Sequence, residues 1–283
     1  MRSGLVAVVG RPNVGKSSLV NAIVGKKVSI VSDKPQTTRR RIHGVAMRDD
    51  AQIVFVDTPG LHKPVTALGE RVNATAMASA VDVDVLVLVF DAESGFGKGD
   101  EWVAANVSID RSTTKLFVVA NKCDAVAPQR ILSELSRSTI LDADEYFPVS
   151  ARTRKGLDEL SAALFGSLPE GPWYYPADAT GDVSDEEWVA ELVREELLRL
   201  TRDELPYSIA TRVTEWEWPR VRCEIIVERE SQKGMVIGRG GSLLKEVGES
   251  VRRQMDPGAY LELRVVVEKD WQRKPGRVER LGY

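Results

Sequence analysis

A glycine-rich stretch near the start of the chain contains residues whose spacing suits phosphate chemistry. GRPNVGKSS at 10–18 follows an apolar run, opens the helix-like segment KSSLVNAIVG and fits the pattern G-x-x-x-x-G-K-[ST]. Glycines let backbone N–H groups wrap a polyphosphate, and the N-terminus of the following helix adds positive potential. We expect Lys16 to reach the β and γ phosphates and Ser17 to ligate magnesium. The residues predicted to bind phosphate here are Gly10, Asn13, Val14, Gly15, Lys16, Ser17 and Ser18.

Two later segments are expected to complete the metal and γ-phosphate site. DTPG at 57–60 follows a second strand, so Asp57 can act on magnesium through water and Gly60 can offer its N–H to the γ phosphate. Between the loop and DTPG lies DKPQTTRRRI at 33–42, where a threonine would join the magnesium shell while the γ phosphate is present. Thr38 is the first choice, and Thr37 remains an alternative.

NKCD at 121–124 predicts which base is bound. The carboxylate of Asp124 can accept from both N1–H and N2–H₂ of guanine, whereas adenine would leave that carboxylate unpaired. GTP is therefore favoured over ATP. Asn121 is expected to brace the phosphate loop, and Lys122 to lie along the ring. Ser150 and Ala151, in VSA at 149–151, are expected to complete the pocket, with the Ala151 N–H directed at guanine O6.

A second glycine stretch, VIGRGGS, has a different design. No Lys-Ser/Thr pair follows it, but it contains G-x-x-G between two helix-like segments, with basic residues on both sides. A loop of this kind clamps about four backbone nucleotides of single-stranded RNA in KH modules. The residues predicted to bind RNA are Lys233, Ile237, Gly238, Arg239, Gly240, Gly241 and Lys245. Apolar residues beside such a loop are equally compatible with a simple core role, and this alternative stays open.

The elements that must position these residues separate into two groups. Short Val-rich runs alternate with helical stretches up to about residue 168, which predicts an α/β domain over 1–168 with a mostly parallel sheet. Aromatic residues among Gly, Pro and Asp over 169–183 indicate a linker. A helix start at Ser184 then opens an α-β-β-α-α-β order over 184–283, which predicts a smaller α+β domain.

Composition limits the class of protein. The formal net charge of -3 conceals ten Lys or Arg against one acid over 1–48, and fourteen acids against seven bases over 181–230. Two distant cysteines and two histidines suggest neither a disulfide framework nor a metal cluster, and no apolar run approaches eighteen residues. We expect a cytoplasmic, soluble protein.

The phosphate loop, DKPQTTRRRI, DTPG, NKCD and VSA resemble the motifs of the translation-factor-related class of P-loop GTPases. Leu61 follows DTPG, where many signalling GTPases place a glutamine that orients the attacking water, and an apolar side chain cannot do this. In relatives with the same change, an asparagine of the phosphate loop helps to hold potassium near the β and γ phosphates. Asn13 matches that asparagine, so the resemblance implies potassium-stimulated hydrolysis.

Almost the whole chain resembles the bacterial Era family. The resemblance is carried by the stretch from GRPNVGKSS to TTRRRI at 10–42, and by VDTPGLH, ELPYS, VERESQKGMVIG and the closing LGY. The resemblance implies a P-loop GTPase domain followed by a type II KH domain. It also implies binding of GTP or GDP and Mg²⁺, binding to the 3′ end of small-subunit (16S) ribosomal RNA, a role in 30S subunit assembly, and peripheral association with the cell membrane. We expect a monomer.

Two other functions compete with a hydrolysing switch. One is an RNA-binding assembly chaperone that uses GTP and GDP as a sensor with negligible hydrolysis. The other is a tRNA-modification GTPase, which is disfavoured because such relatives carry other partner domains and a cysteine near their terminus, whereas this sequence closes on RLGY.

Overall fold

The computed structural model describes residues 1–62, 64 and 66–283. Its internal contacts divide the chain into two compact units. The first unit comprises Met1–Val31, 38–62, 64 and Gly69–Asp182. The second unit comprises Val183–Tyr283 together with the short segments Ser32–Thr37 and 66–68.

A six-stranded sheet forms the centre of the first unit. Its strands are β1 (Arg2–Val9), β2 (Ile42–Arg48), β3 (Ala51–Asp57), β4 (Val85–Asp91), β5 (Lys115–Asn121) and β6 (Glu145–Pro148). Their spatial order is β2-β3-β1-β4-β5-β6, and every neighbouring pair is parallel except β2 with β3. The predicted mostly parallel sheet is confirmed.

Helices cover both faces of this sheet, which is why its strands are continuous apolar runs. The helices are α1 (Lys16–Val24), α2 (Ala67–Ala78), α3 (Lys98–Asn106), α4 (Pro128–Ser138) and α5 (Leu157–Gly166). Along β4, Val85, Val87 and Val89 pack in the core shared with α1 and α5. Leu86 and Leu88 point to the opposite core, which contains residues of α2 and α3.

The edge strand β2 was not predicted from the sequence. Among the described residues it is the one antiparallel strand of this six-stranded sheet, and it is joined to β3 through a tight turn in which Asp49 has a left-handed φ of 53°. Its sequence, IHGVAMR, mixes polar and apolar residues because its edge position leaves some side chains only partly covered. Residues 42–48 therefore form a strand because they pair with β3, and their own sequence pattern does not predict one.

The segment predicted as a linker, 169–183, lies for most of its length against β2 and β3 of the first unit. The fully buried Gln52 donates from Nε2 to the Tyr175 carbonyl at 2.8 Å and accepts from the Tyr175 N–H at 3.0 Å. An isolated antiparallel bridge joins Gly44 to Gly181. These bonds satisfy a buried amide and cover part of an exposed sheet edge.

The second unit has the predicted order with two short helices added. Its elements are α6 (Asp185–Leu200), α7 (Leu205–Ser208), β7 (Ala210–Glu217), β8 (Arg220–Val227), α8 (Glu230–Ile237), α9 (Ser242–Arg252), β9 (Tyr260–Val267) and α10 (Pro275–Arg280). The sheet order is β7-β8-β9, with β7 antiparallel and β9 parallel to β8. The hydroxyl of Ser184 caps α6 by accepting from the Glu187 N–H at 3.3 Å.

The closing residues of the chain pack onto the second unit. Trp271 is fully buried and donates from Nε1 to the Ser208 carbonyl at 3.0 Å. The ring of Tyr283 stacks on Trp271 with 6.0 Å between centroids, and Val278 in α10 is also buried. This segment is therefore part of the folded unit.

A partly buried ion pair ties the loop after β1 to the start of α3. Arg11 Nε lies 2.7 Å from Asp100 Oδ1, and the Asp100 side chain is completely buried while that of Arg11 is 33% exposed. Asp100 Oδ2 accepts from the Gly97 N–H at 3.1 Å and so helps to cap α3. Burial raises the pKa of the Asp100 carboxyl, and the hydrogen bond and charge of Arg11 oppose that rise.

Replacing Arg11 with methionine is expected to lower the free energy of unfolding by about 3 kcal/mol, because Asp100 would stay buried without its cation. Urea denaturation measures the loss, and hydrogen exchange of the β1 amides assigns it to the first unit. Arg111→Met is the matched control, since Arg111 forms a half-exposed pair with Asp144 and its removal should cost at most about 0.5 kcal/mol. Equal losses in the two variants would contradict the prediction.

Candidate functional site

The predicted phosphate loop joins the end of β1 to α1, and two of its glycines are required by close packing. Gly10 has a φ of 154°, and a Cβ there would lie 2.3 Å from the Val89 carbonyl oxygen. Gly15 has a φ of 94°, and a Cβ would lie 2.2 Å from Asn121 Nδ2. Neither position can accept a side chain without displacing its neighbour. The glycine spacing of the motif therefore reflects the space that the surrounding strands leave.

Lys16 lies over this loop with its ammonium directed back onto the loop backbone. Its Nζ donates to the carbonyls of Gly10 at 3.1 Å and Arg11 at 3.0 Å. The side chain is 6% exposed, and burial lowers its pKa to about 8 while the nearby Asp57 carboxylate opposes the shift. A cation held here is placed to contact phosphate oxygens wrapped by the loop.

Three oxygen-bearing side chains, predicted as metal ligands, meet beside Lys16. Ser17 Oγ lies 2.8 Å from Thr38 Oγ1. Asp57 is fully buried at the end of β3, and within the described part of the chain neither of its carboxylate oxygens has a hydrogen-bond partner. Burial raises the pKa of Asp57, and the nearby Ser17 hydroxyl and Lys16 ammonium oppose the rise. Mg²⁺ prefers oxygen ligands such as hydroxyls and carboxylates. The buried Asp57 carboxylate, which has no hydrogen-bond partner among the described residues, therefore suits a cation at this position.

The structure distinguishes the two candidate threonines by their contacts. Thr38 is 7% exposed and meets Ser17, as described above. Thr37 turns its hydroxyl into its own loop, where Oγ1 donates to the Lys34 carbonyl at 2.7 Å. Thr38 is thus the threonine that stands beside the other candidate metal ligands.

The segment after β3 backs directly onto the phosphate loop. A Cβ at Gly60 would lie 2.7 Å from Pro12 Cα, and the Leu61 N–H donates to the Gly10 carbonyl at 3.2 Å. Leu61 is 1% exposed and packs in an apolar core. Asn13 is exposed at the tip of the phosphate loop, with a left-handed φ of 63°. The residue type at 61 is therefore explained by packing, and Asn13 faces outward from the loop.

Asn121, at the end of β5, connects the phosphate loop to the predicted base pocket. Its Nδ2 donates to the Val14 carbonyl at 2.9 Å, and its Oδ1 accepts from the Ala151 N–H at 3.1 Å. The bracing role predicted for Asn121 matches this geometry. The Ala151 N–H, which was expected to face guanine O6, is instead directed at Asn121. A bond from this N–H to guanine O6 stays a prediction, and in the present arrangement the hydrogen would be shared between two acceptors.

A cavity of about 290 Å³ lies where the base was predicted to bind. It is lined by Gly15, Ser18, Glu93, Asn121, Lys122, Asp124, Ala125, Ala151 and Arg152. Asp124 accepts from Ser150 Oγ at 2.5 Å and also pairs with Arg152. The Ser150 hydrogen bond, together with Arg152, holds the pKa of Asp124 below its usual range despite partial desolvation. Asp124 therefore stays an anion that accepts hydrogen bonds at neutral pH.

Sequence reasoning missed several residues that contact this site. Arg152 pairs with Asp124, Asp91 pairs with Lys122, and Asp100 pairs with Arg11. Each partner lies far away in the chain, apart from Arg152, which directly follows the VSA stretch. That adjacency was the one signal in the sequence that could have drawn attention to any of them.

In the second unit, the G-x-x-G stretch forms a tight turn between α8 and α9. Gly238 has a φ of 74°, and a Cβ there would lie 2.8 Å from the Leu243 N. Gly240 and Gly241 have φ values of 60° and 80°, and a Cβ at either would meet nothing within 4 Å. The backbone of these last two glycines is therefore open to an approaching ligand.

The predicted RNA-binding side chains differ in exposure. Arg239 and Lys245 are exposed beside the turn, and Lys233 is half-buried. Ile237 is also half-buried and packs against the apolar core of the second unit. Ile237 thus has the core role that the sequence left open as its alternative, with part of its surface remaining accessible.

No helix in the described part of the chain is long and apolar enough to cross a membrane.

Comparison with known proteins identifies the family. Residues 5–122 match the family model of a 50S ribosome-binding GTPase, and 204–272 match that of a KH domain. The chain is 42% identical over 293 residues to GTPase Era of Heliobacterium modesticaldum, with 100% of this chain and 97% of that protein covered. It is 44% identical over 295 residues to GTPase Era of Mycobacterium sp. strain JLS, with 100% and 99% covered.

Solved structures agree with these relatives. A crystal structure of Era in complex with MgGDPNP and nucleotides 1506–1542 of 16S ribosomal RNA matches with a TM-score of 0.95 at 38% identity, covering 100% of this chain and 99% of that chain. Aquifex aeolicus Era bound to GDP and AlF4⁻, in a variant form, matches with a TM-score of 0.94 at 37% identity and the same coverage. The fold is therefore a P-loop GTPase domain followed by a KH domain, and the chain belongs to the Era family of GTPases.

Proposed function

We propose that the first unit binds GTP with Mg²⁺ and hydrolyses it to GDP and phosphate at the carboxyl ends of β1, β3 and β5. The observation that carries this proposal is a pair of hydrogen bonds made by the Asn121 side chain. One goes to the Val14 carbonyl of the phosphate loop, and the other comes from the Ala151 N–H of the base pocket. A nucleotide spans the same two parts. The Era structures that hold MgGDPNP and GDP with AlF4⁻ support the same ligand class.

Within this site each side chain has a separate task. Ser17, Thr38 and Asp57 would hold Mg²⁺, which when bound supplies positive charge next to the β and γ phosphates. Lys16 neutralises charge of the phosphates wrapped by the loop, and the Gly60 N–H is offered to the γ phosphate. Asp124 selects guanine, with Lys122 along the ring and Ser150 orienting the carboxylate.

Replacing Asp124 with asparagine is expected to weaken GTP binding about 100-fold, because the new amide presents a donor where guanine also presents donors. Xanthosine triphosphate, which carries an oxygen at C2, should gain affinity. Competition of both nucleotides against a fluorescent GDP analogue measures the shift. Asp142→Asn, at an exposed position that does not line the base cavity, is the control and should leave both affinities as in the parent protein. Undiminished GTP binding by the Asp124 variant would refute the assignment.

Hydrolysis needs a substitute for the glutamine of signalling GTPases, because Leu61 is buried in an apolar core. We infer that Asn13 helps to place K⁺ beside the β and γ phosphates, where it offsets charge that develops during the reaction. The exposed position of Asn13 at the tip of the phosphate loop supports this role.

Single-turnover hydrolysis is expected to be about tenfold faster in potassium than in sodium buffers at equal ionic strength, because K⁺ placed by Asn13 would offset the charge that develops in the transition state. Asn13→Ala should remove most of that difference while retaining nucleotide binding. Equal rates in the two salts over a full titration would rule out the potassium site.

The second unit is proposed to bind single-stranded RNA through the turn at Gly238–Gly241. Its backbone is open at Gly240 and Gly241, and Arg239 and Lys245 are exposed beside it. The Era structure that holds nucleotides 1506–1542 of 16S ribosomal RNA supports 16S rRNA as the target. The family resemblance further suggests the 3′ end of that RNA as the binding site and 30S subunit assembly as the process. Phosphate contacts of this kind contribute affinity that falls with salt.

Gly240→Asp is expected to weaken binding of single-stranded RNA at least about tenfold, since a carboxylate would meet the RNA phosphates. Aspartate tolerates the left-handed backbone, and a Cβ at this position meets nothing within 4 Å, so the fold should persist. Fluorescence anisotropy with an RNA of the 16S 3′ end measures the effect. Gly258→Asp is the matched control, because Gly258 also has a positive φ, 93°, and open space around it. Similar losses in both variants would count against the turn as the RNA site.

We further propose that the protein acts as a monomer in the cytoplasm, with peripheral association at the cytoplasmic face of the cell membrane. The basic residues near the chain end, which can contact RNA phosphate or lipid headgroups, support a polyanionic partner there. These are Lys269, Arg273, Lys274, Arg277 and Arg280.

A further inference from the structure

Lys122 of the base pocket is held by a carboxylate that no motif includes. Its Nζ lies 2.8 Å from Asp91 Oδ2, at the end of the neighbouring strand β4. The lysine side chain is 38% exposed, whereas that of Asp91 is 13% exposed. Lys122 also has a left-handed backbone, with a φ of 63°, so its side chain leaves the strand end at an unusual angle.

Asp91 is itself fixed by its strand and by the turn that follows. It stands opposite Asn121 in the register of β4 and β5. Its Oδ1 accepts from the Glu93 N–H at 2.8 Å, and its carbonyl accepts from the Gly95 N–H at 2.9 Å. One carboxylate oxygen therefore secures the turn, while the other is left for Lys122.

A lysine side chain has four rotatable bonds and loses rotamer entropy when it is immobilised. If Lys122 is already held at the edge of the cavity, less of this entropy has to be lost when a base enters. We propose that Asp91 is a positioning residue for guanine recognition, which acts by holding the stem of Lys122 along the wall of the base cavity. The inference rests on the nucleotide function proposed above.

The test measures release of a fluorescent GDP analogue from the full-length protein. Asp91→Asn keeps an oxygen for the Glu93 N–H but removes the charge that holds Lys122. Release is expected to accelerate about two- to fivefold, as befits a partly exposed ion pair. Asp91→Ser, which retains a smaller acceptor, should accelerate release similarly, and Asp91→Glu should restore part of the parent rate. Asp158→Asn, at an exposed site in α5, is the control and should release at the parent rate.

A double-mutant cycle separates positioning from a purely structural role. In a Lys122→Met background, Asp91→Asn should cause no further acceleration, because the group that it positions is gone. The difference between Asp91 and its asparagine variant should also shrink at high salt, as expected for a charge pair. Acceleration by the same factor in both backgrounds, or unchanged release in the Asp91 variants, would overturn the proposal.

The experiment also distinguishes this proposal from the proposed function. Failure of the parent protein to bind the analogue, or binding that is indifferent to Asp124→Asn, would overturn both. Normal, Asp124-dependent binding with release unaffected at Asp91 would overturn the positioning role alone.

Discussion

The nucleotide site depends on one buried amide, the side chain of Asn121. It donates to the phosphate loop at Val14 and accepts from Ala151, while its backbone carbonyl accepts from the Ala92 N–H at 2.9 Å. Three loops from different strands are thereby held in one arrangement. Because an unsatisfied buried amide costs free energy comparable to a lost hydrogen bond, each loop fixes the other two. The same packing explains Gly15, since any Cβ there would collide with this amide.

Buried charge is the second constraint, and it concentrates where chemistry is proposed. Lys16 and Asp57 are both removed from water. Burial lowers the pKa of Lys16 and raises that of Asp57, and both shifts favour the uncharged form. Such groups lower stability unless a partner compensates them, and a polyphosphate with a divalent cation supplies opposite charges for both. Arg11 and Asp100 show the alternative, in which a buried carboxylate is compensated by a partly exposed guanidinium and the pair ties the loop to a helix. Charge therefore serves binding in one place and architecture in the other.

The two glycine stretches differ in what surrounds them, and this difference matches their proposed ligands. At Gly10 and Gly15 neighbouring protein atoms pack closely against the backbone. A Cβ at Gly10 would lie 2.3 Å from the Val89 carbonyl oxygen, and a Cβ at Gly15 would lie 2.2 Å from Asn121 Nδ2. That loop is shaped by its own core and folds around a compact cluster of phosphates. At Gly240 and Gly241 the space is open, so that an extended chain of phosphates can approach from outside. The proposed positioning of Lys122 by Asp91 belongs to the first kind of arrangement, where the protein prepares the site before the ligand enters.

The sequence by itself determined the phosphate loop, the NKCD stretch, the parallel Val-rich strands and the α-β-β-α-α-β order of the second unit, because these features are local patterns of spacing and periodicity. It did not reveal β2, whose pairing depends on β3, nor the helix that closes the chain, whose buried Val278 needs the rest of the second unit. The sequence favoured Thr38 but left Thr37 open, and tertiary structure decided that Thr38 stands beside Ser17. Tertiary structure alone decided that Asp91 reaches Lys122. Contacts between residues distant in the chain arise from strand order and register, and no local pattern records which strand ends will be neighbours.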